Sequence, residues 1–335
     1  MRSWKWIGLS VVALLAIASA IGLRLLLGET NLDRSVGDYR SRMHGIWSGP
    51  APGTPDPRPV ALDFDTGVLR YLFLNEFDAE LPYLVAFPVA GAAHAPALLL
   101  LPGGGYAFRS EKLDGLDIAA WLAEHGIAAF VLNYRVDPYR YPVPLLDARR
   151  ALRWLRAHAE EQGIDPLHLG VMGTSAGGHL AALLATEDGS GDPTSPDVIE
   201  RQSSRPDVAI LVQAVLSLTE HVHVGSRLHL LGPAPEPELL QALSAERRVG
   251  PTTPPTFLWT SKTDEFVDYE NSELYAAALR AHGVEHEYRL FPEGHHGRGL
   301  ARAERYTRAW PELCLEWLSR HGFTPEPATA TPRAP

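Results

Sequence analysis

The chain has 335 residues, 45% of them hydrophobic and 21% charged, and its 30 Lys and Arg against 40 Asp and Glu give a formal net charge of −10. The apolar fraction excludes an intrinsically disordered chain, and a single cysteine, Cys314, excludes an internal disulfide framework. An acidic balance without any block of basic residues leaves no footprint for nucleic acid.

Arg2 and Lys5 precede an uncharged apolar run from Trp6 to Leu23, and Arg24 then interrupts before Leu25, Leu26 and Leu27. Ala18-Ser19-Ala20 has the small-x-small form of a signal-peptidase site. The same run is near the roughly 20 residues that span a bilayer. Residues 1–28 are therefore expected to be a signal peptide or an N-terminal membrane anchor, with residues 6–27 as the tether in the second case. Either way the body is delivered outside the cytoplasm, to the periplasm, the medium or the outer side of the inner membrane. Residues 29–59 end in Pro50, Pro52, Pro55, Pro57 and Pro59 and read as a linker. Residues 323–335 hold Pro325, Pro327, Pro332 and Pro335 and read as a disordered tail, which leaves 60–322 as the folded body.

Within the body, short apolar runs alternate with helical patterns. Ala97–Leu101, Ile127–Leu132, Leu167–Met172, Val208–Val212, Thr256–Trp259 and His286–Leu290 are strand candidates. Leu116–His125, Pro144–Gln162, Tyr269–His282 and Glu304–His321 have helical spacing; Pro144 suits a first turn, Gly163 a stop, and Pro311 a kink or a start. This alternation predicts an α/β protein with a mostly parallel sheet covered on both faces, its chemistry at the carboxyl ends of the strands.

The strongest motif is Gly173-Thr174-Ser175-Ala176-Gly177, which follows an apolar strand and opens a helical run. A sharp strand-to-helix turn exposes the serine at its apex, and side chains two positions before and after would clash, so Gly173 and Gly177 are the elbow glycines. Ser175 is the candidate nucleophile. A serine hydroxyl needs a base, and a neutral imidazole can take its proton and return it to a leaving alkoxide. His296, in Phe-Pro-Glu-Gly-His-His-Gly, is the candidate, with His295 adjacent. His179 reads as a structural neighbour of the elbow. A carboxylate must orient the imidazole. Asp264 follows the TFLW strand, with Glu265 and Asp268 as nearby competitors. The glycines of Leu-Leu-Pro-Gly-Gly-Gly-Tyr let bare N–H groups approach a substrate oxygen, so Gly104, Gly105 and Ala176 are the candidate oxyanion hole. His221 and His223 lack an accompanying ligand cluster for a metal, and neither a metal nor another cofactor is expected.

Five stretches in order, PGGGY, GIAAFVLNYRV, YPVPLLDARRALRWLRAHAEEQGIDPLHLGVMGTSAGGHLAA, TPPTFLWTSKTDEFVDYENS and FPEGHHGRGL, resemble the α/β-hydrolase family. Within it they resemble the bacterial esterase branch related to acetyl-xylan and feruloyl esterases, over about residues 65–321. The resemblance implies the α/β-hydrolase fold and a serine carboxylic-ester hydrolase acting through an acyl-enzyme on short acyl groups such as acetyl, on a small-molecule or carbohydrate ester. It also implies His296 rather than His295 as the base, from the family's Gly-His-Gly. It implies Asp264 as the second acid of Asp-Asp-x-x-Val, where the first is Thr263 here. The chain departs from the pattern at Thr174, often Phe, at Gln213-Ala214, usually Tyr-Pro, and over 186–204 and 216–243, segments that would shape the substrate pockets. A peptidase or amidase on the same fold, and an inactive exported binding protein, are the competing readings.

Overall fold

The computed structural model describes residues 40–49, 51–53 and 82–324. The expected signal or anchor over 1–28 lies outside the described residues, as do most of the expected linker and tail. The chain divides into two compact units, Met1–Met43 and His44–Pro335. Of the first, only a 3-10 turn, Arg40–Arg42, and Met43 are described. Among the described residues no helix is long and apolar enough to cross a membrane.

Among the described residues eight strands form one sheet, in the order β1-β2-β4-β3-β5-β6-β7-β8. They are β1 (Met43–Gly45), β2 (Tyr83–Phe87), β3 (Ala95–Leu101), β4 (Ala128–Asn133), β5 (Ile164–Thr174), β6 (Ala209–Val212), β7 (Thr256–Ser261) and β8 (His286–Phe291). From β4 to β8 every neighbouring pair is parallel, while β2 runs antiparallel to β4. β3 reads APALLLL and β4 AAFVLN, and both are buried along their whole length. Near-continuous apolar runs of this kind are stable only where both sheet faces are covered. The covering helices include α1 (Asp117–Glu124), α2 (Val143–Ala157), α4 (Ala176–Ala185), α7 (Glu270–Ala281) and α8 (Trp310–Arg320). The sheet is the mostly parallel, doubly covered one that the alternating pattern predicted.

The local departures have physical causes. The single helix expected over 144–162 breaks at His158, leaving α2 and the short α3 (Ala159–Gln162). The His158 ring stacks on Trp154 at 4.1 Å, and its Nδ1 lies 2.9 Å from the Trp154 carbonyl. A side chain competing for a helical carbonyl weakens the ladder at that turn. Pro311 sits in the first turn of α8 and starts it. The strand β2, the helix α5 (Val224–Leu231) and the short helix α6 (Pro237–Ala242) were not legible as periodic segments.

The register decides where the site can be. Leu101 pairs with Gly173, Thr174 with Val212, Val212 with Trp259, and Ser261 with Phe291. The carboxyl ends of β3, β5, β6, β7 and β8 therefore share one edge of the sheet. The connections at that edge carry Ser175, Asp264, His296, Gly104 and Gly105, while Gly173 lies at the end of β5 and Ala176 and Gly177 open α4.

Candidate active site

Ser175 occupies the turn between β5 and α4 with φ 55° and ψ −119°. A non-glycine residue there costs on the order of 1–3 kcal/mol and must be held by its surroundings. The hold is visible. The Ser175 amide donates to the Val212 carbonyl at 2.9 Å, and the Ser175 carbonyl accepts from His179 at 3.1 Å and Val215 at 3.0 Å. A β-carbon on Gly177 would lie 2.0 Å from the Leu101 carbonyl oxygen, and one on Gly173 would lie 2.2 Å from the Gly177 oxygen. The pentapeptide thus has glycine where its own backbone and β3 leave no room.

Asp264 lies in the loop after β7 and His296 in the loop after β8. Asp264 Oδ2 is 2.8 Å from His296 Nδ1, with the carboxylate fully buried and the imidazole 12% exposed. The other oxygen, Oδ1, accepts from the amides of Phe266 at 3.0 Å and Val267 at 2.9 Å. A carboxylate accepts, so Nδ1 carries the proton and Nε2 is the nitrogen left to act as a base. His295 faces elsewhere: its Nδ1 is 3.2 Å from Glu304, and its side chain is mostly exposed. Of the acidic competitors, Glu265 accepts from the His296 amide at 3.1 Å, and Asp268 lies 3.5 Å from His221.

The loop bearing His296 is fixed by three residues that local sequence did not single out for this role. Ser261 Oγ donates to the Gly294 carbonyl at 2.5 Å, and Thr263 Oγ1 accepts from the Gly294 amide at 3.0 Å. Gln213, in the turn after β6, donates from Nε2 to the His295 carbonyl at 3.1 Å and accepts at Oε1 from the Gly297 amide at 3.0 Å. The departure from the family pattern at Gln213 was the only signal for it in the sequence.

The glycine loop after β3 lies beside the elbow. A β-carbon on Gly103 would sit 3.1 Å from Ser175 Cβ. Gly104 has φ +131°, and a β-carbon there would meet the Phe108 carbonyl oxygen at 2.2 Å. Tyr106, buried with φ 60°, ties this loop to α4. Its hydroxyl is 2.8 Å from His179 Nδ1, and His179 Nε2 is 2.7 Å from the Leu243 carbonyl. A carbonyl can only accept, so Nε2 bears the proton and Nδ1 accepts from Tyr106. Burial pushes the His179 imidazole down to about 4. His179 is thus a neutral structural link, in keeping with its reading as a neighbour of the elbow. Tyr134 donates to the Pro102 carbonyl at 2.6 Å and secures the start of the loop.

One further buried acid faces the same place. Asp114 sits on a π-helical turn, Lys112–Leu116, that runs into α1. Its Oδ2 would lie 3.1 Å from a β-carbon on Gly103. Burial raises its carboxyl to about 6, against the opposing pull of His296 and of hydrogen bonds from Ser110 and the Gly103 backbone. Its Oδ1 has no hydrogen-bond partner among the described residues.

His221 and His223 do not share a site. His221 groups with Asp268 and Glu270, whose ligand-type atoms lie within 4.8 Å of one another, two of the three residues being exposed. His223 caps the start of α5. A cleft of about 450 Å³ lined by Trp47, Arg149, Arg153, Glu187 and Glu200 contains none of the candidate catalytic residues. Two of its arginines are already paired with two of its acids, Arg149 with Glu187 and Arg153 with Glu200. Cys314 is fully buried, and burial raises its thiol far above the ordinary range, which leaves it unreactive.

Comparison with known proteins gives this geometry a context. The family model BD-FAE matches residues 85–279. Endo-1,4-beta-xylanase B of Butyrivibrio fibrisolvens is 31% identical over 312 residues, covering 90% of this chain and 47% of that protein. Acetylxylan esterase of Xylanibacter ruminicola is 33% identical over 227 residues, covering 66% of this chain and 45% of that protein. The chain therefore spans about half the length of these two curated relatives. Among solved structures, the acetyl ester-xyloside bifunctional hydrolase from Caldicellulosiruptor lactoaceticus aligns with a TM-score of 0.75 and 41% identity, over 84% of this chain and 97% of that one. With a mostly parallel sheet, a serine elbow and a family match over more than half its length, the chain belongs to the BD-FAE family of α/β-hydrolases.

Proposed function

We propose that this protein is a serine carboxylesterase that cleaves short-chain esters, acetyl esters of carbohydrates among them, through an acyl-enzyme on Ser175. The observation that carries the reading is the 2.8 Å pair of buried Asp264 and His296 at the sheet edge where Ser175 stands on its elbow. His296 Nε2 takes the Ser175 proton as Oγ attacks the ester carbonyl carbon. The carbonyl oxygen becomes an oxyanion facing the amides of Gly104, Gly105 and Ala176. As the intermediate collapses, the C–O bond to the alcohol breaks and His296 returns the proton to the leaving oxygen. Water, deprotonated by the same imidazole, then attacks the acyl carbon; the bond from that carbon to Oγ breaks, the imidazolium returns its proton to Oγ, and the carboxylic acid leaves. Asp264 holds the imidazole in the required tautomer and faces the imidazolium. The esterase names of the relatives support the substrate class.

The test is a fluorophosphonate probe on residues 30–335, with the label located by peptide mass, alongside turnover of 4-nitrophenyl acetate and butyrate. Label on Ser175 together with turnover of the short esters is the expected result. Folded protein with neither label nor turnover would overturn the reading.

The body is proposed to work outside the cytoplasm, on the strength of Arg2, Lys5 and the apolar run that follows. N-terminal sequencing of the protein from membrane and soluble export fractions distinguishes an uncleaved anchor from cleavage after Ala20. Intact protein found in the cytoplasm alone would refute export.

A further inference from the structure

Two side chains beside His296 take no part in the reaction just described. The first is His223, at the N-cap of α5. Its Nδ1 is 3.2 Å from the Ser226 amide nitrogen and 2.8 Å from Ser226 Oγ. A backbone N–H can only donate, so Nδ1 must be the unprotonated nitrogen, and the ring proton resides on Nε2. Among the described residues nothing accepts from that Nε2. Burial first, and then the field of His296, hold the imidazole below its ordinary range, so the ring stays neutral and keeps one N–H to offer. It lies beside Gly105: the His223 Cε1 is 3.8 Å from where a β-carbon on that glycine would be. The ring therefore stands beside the glycine loop, near enough to His296 to feel its charge.

The second is Phe266. Its ring centroid is 5.6 Å from that of His296, edge to face, yet the residue is 61% exposed. It is not on a free-swinging loop, because its amide donates to Asp264 Oδ1 at 3.0 Å. A phenyl ring exposed beside the reacting imidazole, on a backbone anchored to Asp264, is placed to be covered by substrate.

The side of the site these residues occupy follows from the chemistry. His296 gives its proton to the leaving oxygen, so the alcohol portion of the ester must lie against His296. Phe266, in ring contact with His296, is therefore on the alcohol side, and His223 stands near it beside the glycine loop. We propose that His223 and Phe266 form the alcohol subsite: the His223 Nε2–H donates to an oxygen of a sugar ring, and the Phe266 face packs on that ring's C–H face. The ligand class is an O-acetylated pyranoside, which carries both the oxygens and the apolar face that the two side chains require. This inference rests on the esterase reading and adds to it the residues that choose the alcohol.

The test measures kcat/KM on methyl tri-O-acetyl-β-xylopyranoside and on 4-nitrophenyl acetate, and takes the ratio of the two, which does not depend on the fraction of enzyme folded. His223→Ala and Phe266→Ala are each expected to lower that ratio by about tenfold or more, mainly through KM on the sugar ester. His223→Gln, which restores an N–H donor, and Phe266→Trp, which restores the platform, are expected to recover most of it. A ratio that stays at the wild-type value, or equal losses on both substrates, would overturn the proposal. Wild-type enzyme that takes the fluorophosphonate label and cleaves the aryl ester, but not the sugar ester, would overturn this inference and leave the esterase reading standing. Absence of label would instead remove the esterase reading itself.

Discussion

Gln213 grips His296 from behind. Its side-chain amide binds the carbonyl of His295 on one side and the amide of Gly297 on the other, at 3.1 and 3.0 Å, so the peptides flanking the imidazole are locked to the end of β6. Gln213 itself is 1% exposed and held at φ 44°. Through its carboxamide the strand next to the elbow sets the position of the proposed base. Removing it should cost geometry rather than chemistry, and a misplacement of about 1 Å can cost on the order of 100-fold. Gln213→Ala is expected to lower kcat by about 10- to 100-fold while KM changes little. Steady-state kinetics with 4-nitrophenyl acetate check this, and kcat within twofold of wild type would show that the grip is dispensable.

Asp264→Asn leaves the packing intact but reverses a hydrogen bond. The carboxamide NH2 would donate to Nδ1, which forces the ring proton onto Nε2, where it blocks acceptance of the Ser175 proton. The expected loss in kcat is on the order of 10³- to 10⁴-fold with an unaltered melting temperature. Retention of a tenth of the activity would mean that another group orients His296.

The link from Tyr106 through His179 to Leu243 should appear in acid stability. His179 is held neutral by burial, its pKa lowered from 6.5 to about 4. A depressed pKa contributes stability that is complete above pH 6.5 and is lost as pH falls towards 4. The loss amounts to roughly 3 kcal/mol across that window. His179→Gln should be less stable than wild type at pH 7 but lose about 3 kcal/mol less between pH 6.5 and 4. Urea titrations at the two pH values measure the difference, and parallel losses in both proteins would contradict the linkage.

Asp114 works in the opposite direction. Its carboxyl is raised by burial from 3.8 to about 6, so its contribution to stability is greatest below pH 3.8 and is lost as pH rises through 6. Asp114→Asn removes that titration while keeping an acceptor for Ser110 and Gly103. Relative to wild type, the variant is expected to gain about 3 kcal/mol between pH 4 and pH 7.5. A relative stability independent of pH would mean that the carboxyl is solvated.

Much of this protein can be read along the chain, for a local reason. Alternating apolar runs and helical faces specify a covered parallel sheet, because each element's periodicity is a property of its own residues. The serine elbow is legible because its steric demands fall within five residues, and the clashes that exclude a β-carbon at Gly173 come from the pentapeptide's own backbone. The order Ser175, Asp264, His296 is likewise visible without a fold. Neighbouring residues alone could not separate His295 from His296; only the resemblance to the family favoured the second. The register of β7 and β8 brings one of them to Asp264 and the other to Glu304. Gln213 lies 84 residues from Gly297, and Tyr106 lies 73 from His179, so nothing local marks either contact. The same holds for His223 and Asp114, ordinary polar residues until the packing of loops at one sheet edge places the first beside Gly105 and the second beside Gly103. Periodicity and steric exclusion are encoded residue by residue, whereas the polar contacts that position a base exist only once distant strands have chosen their register.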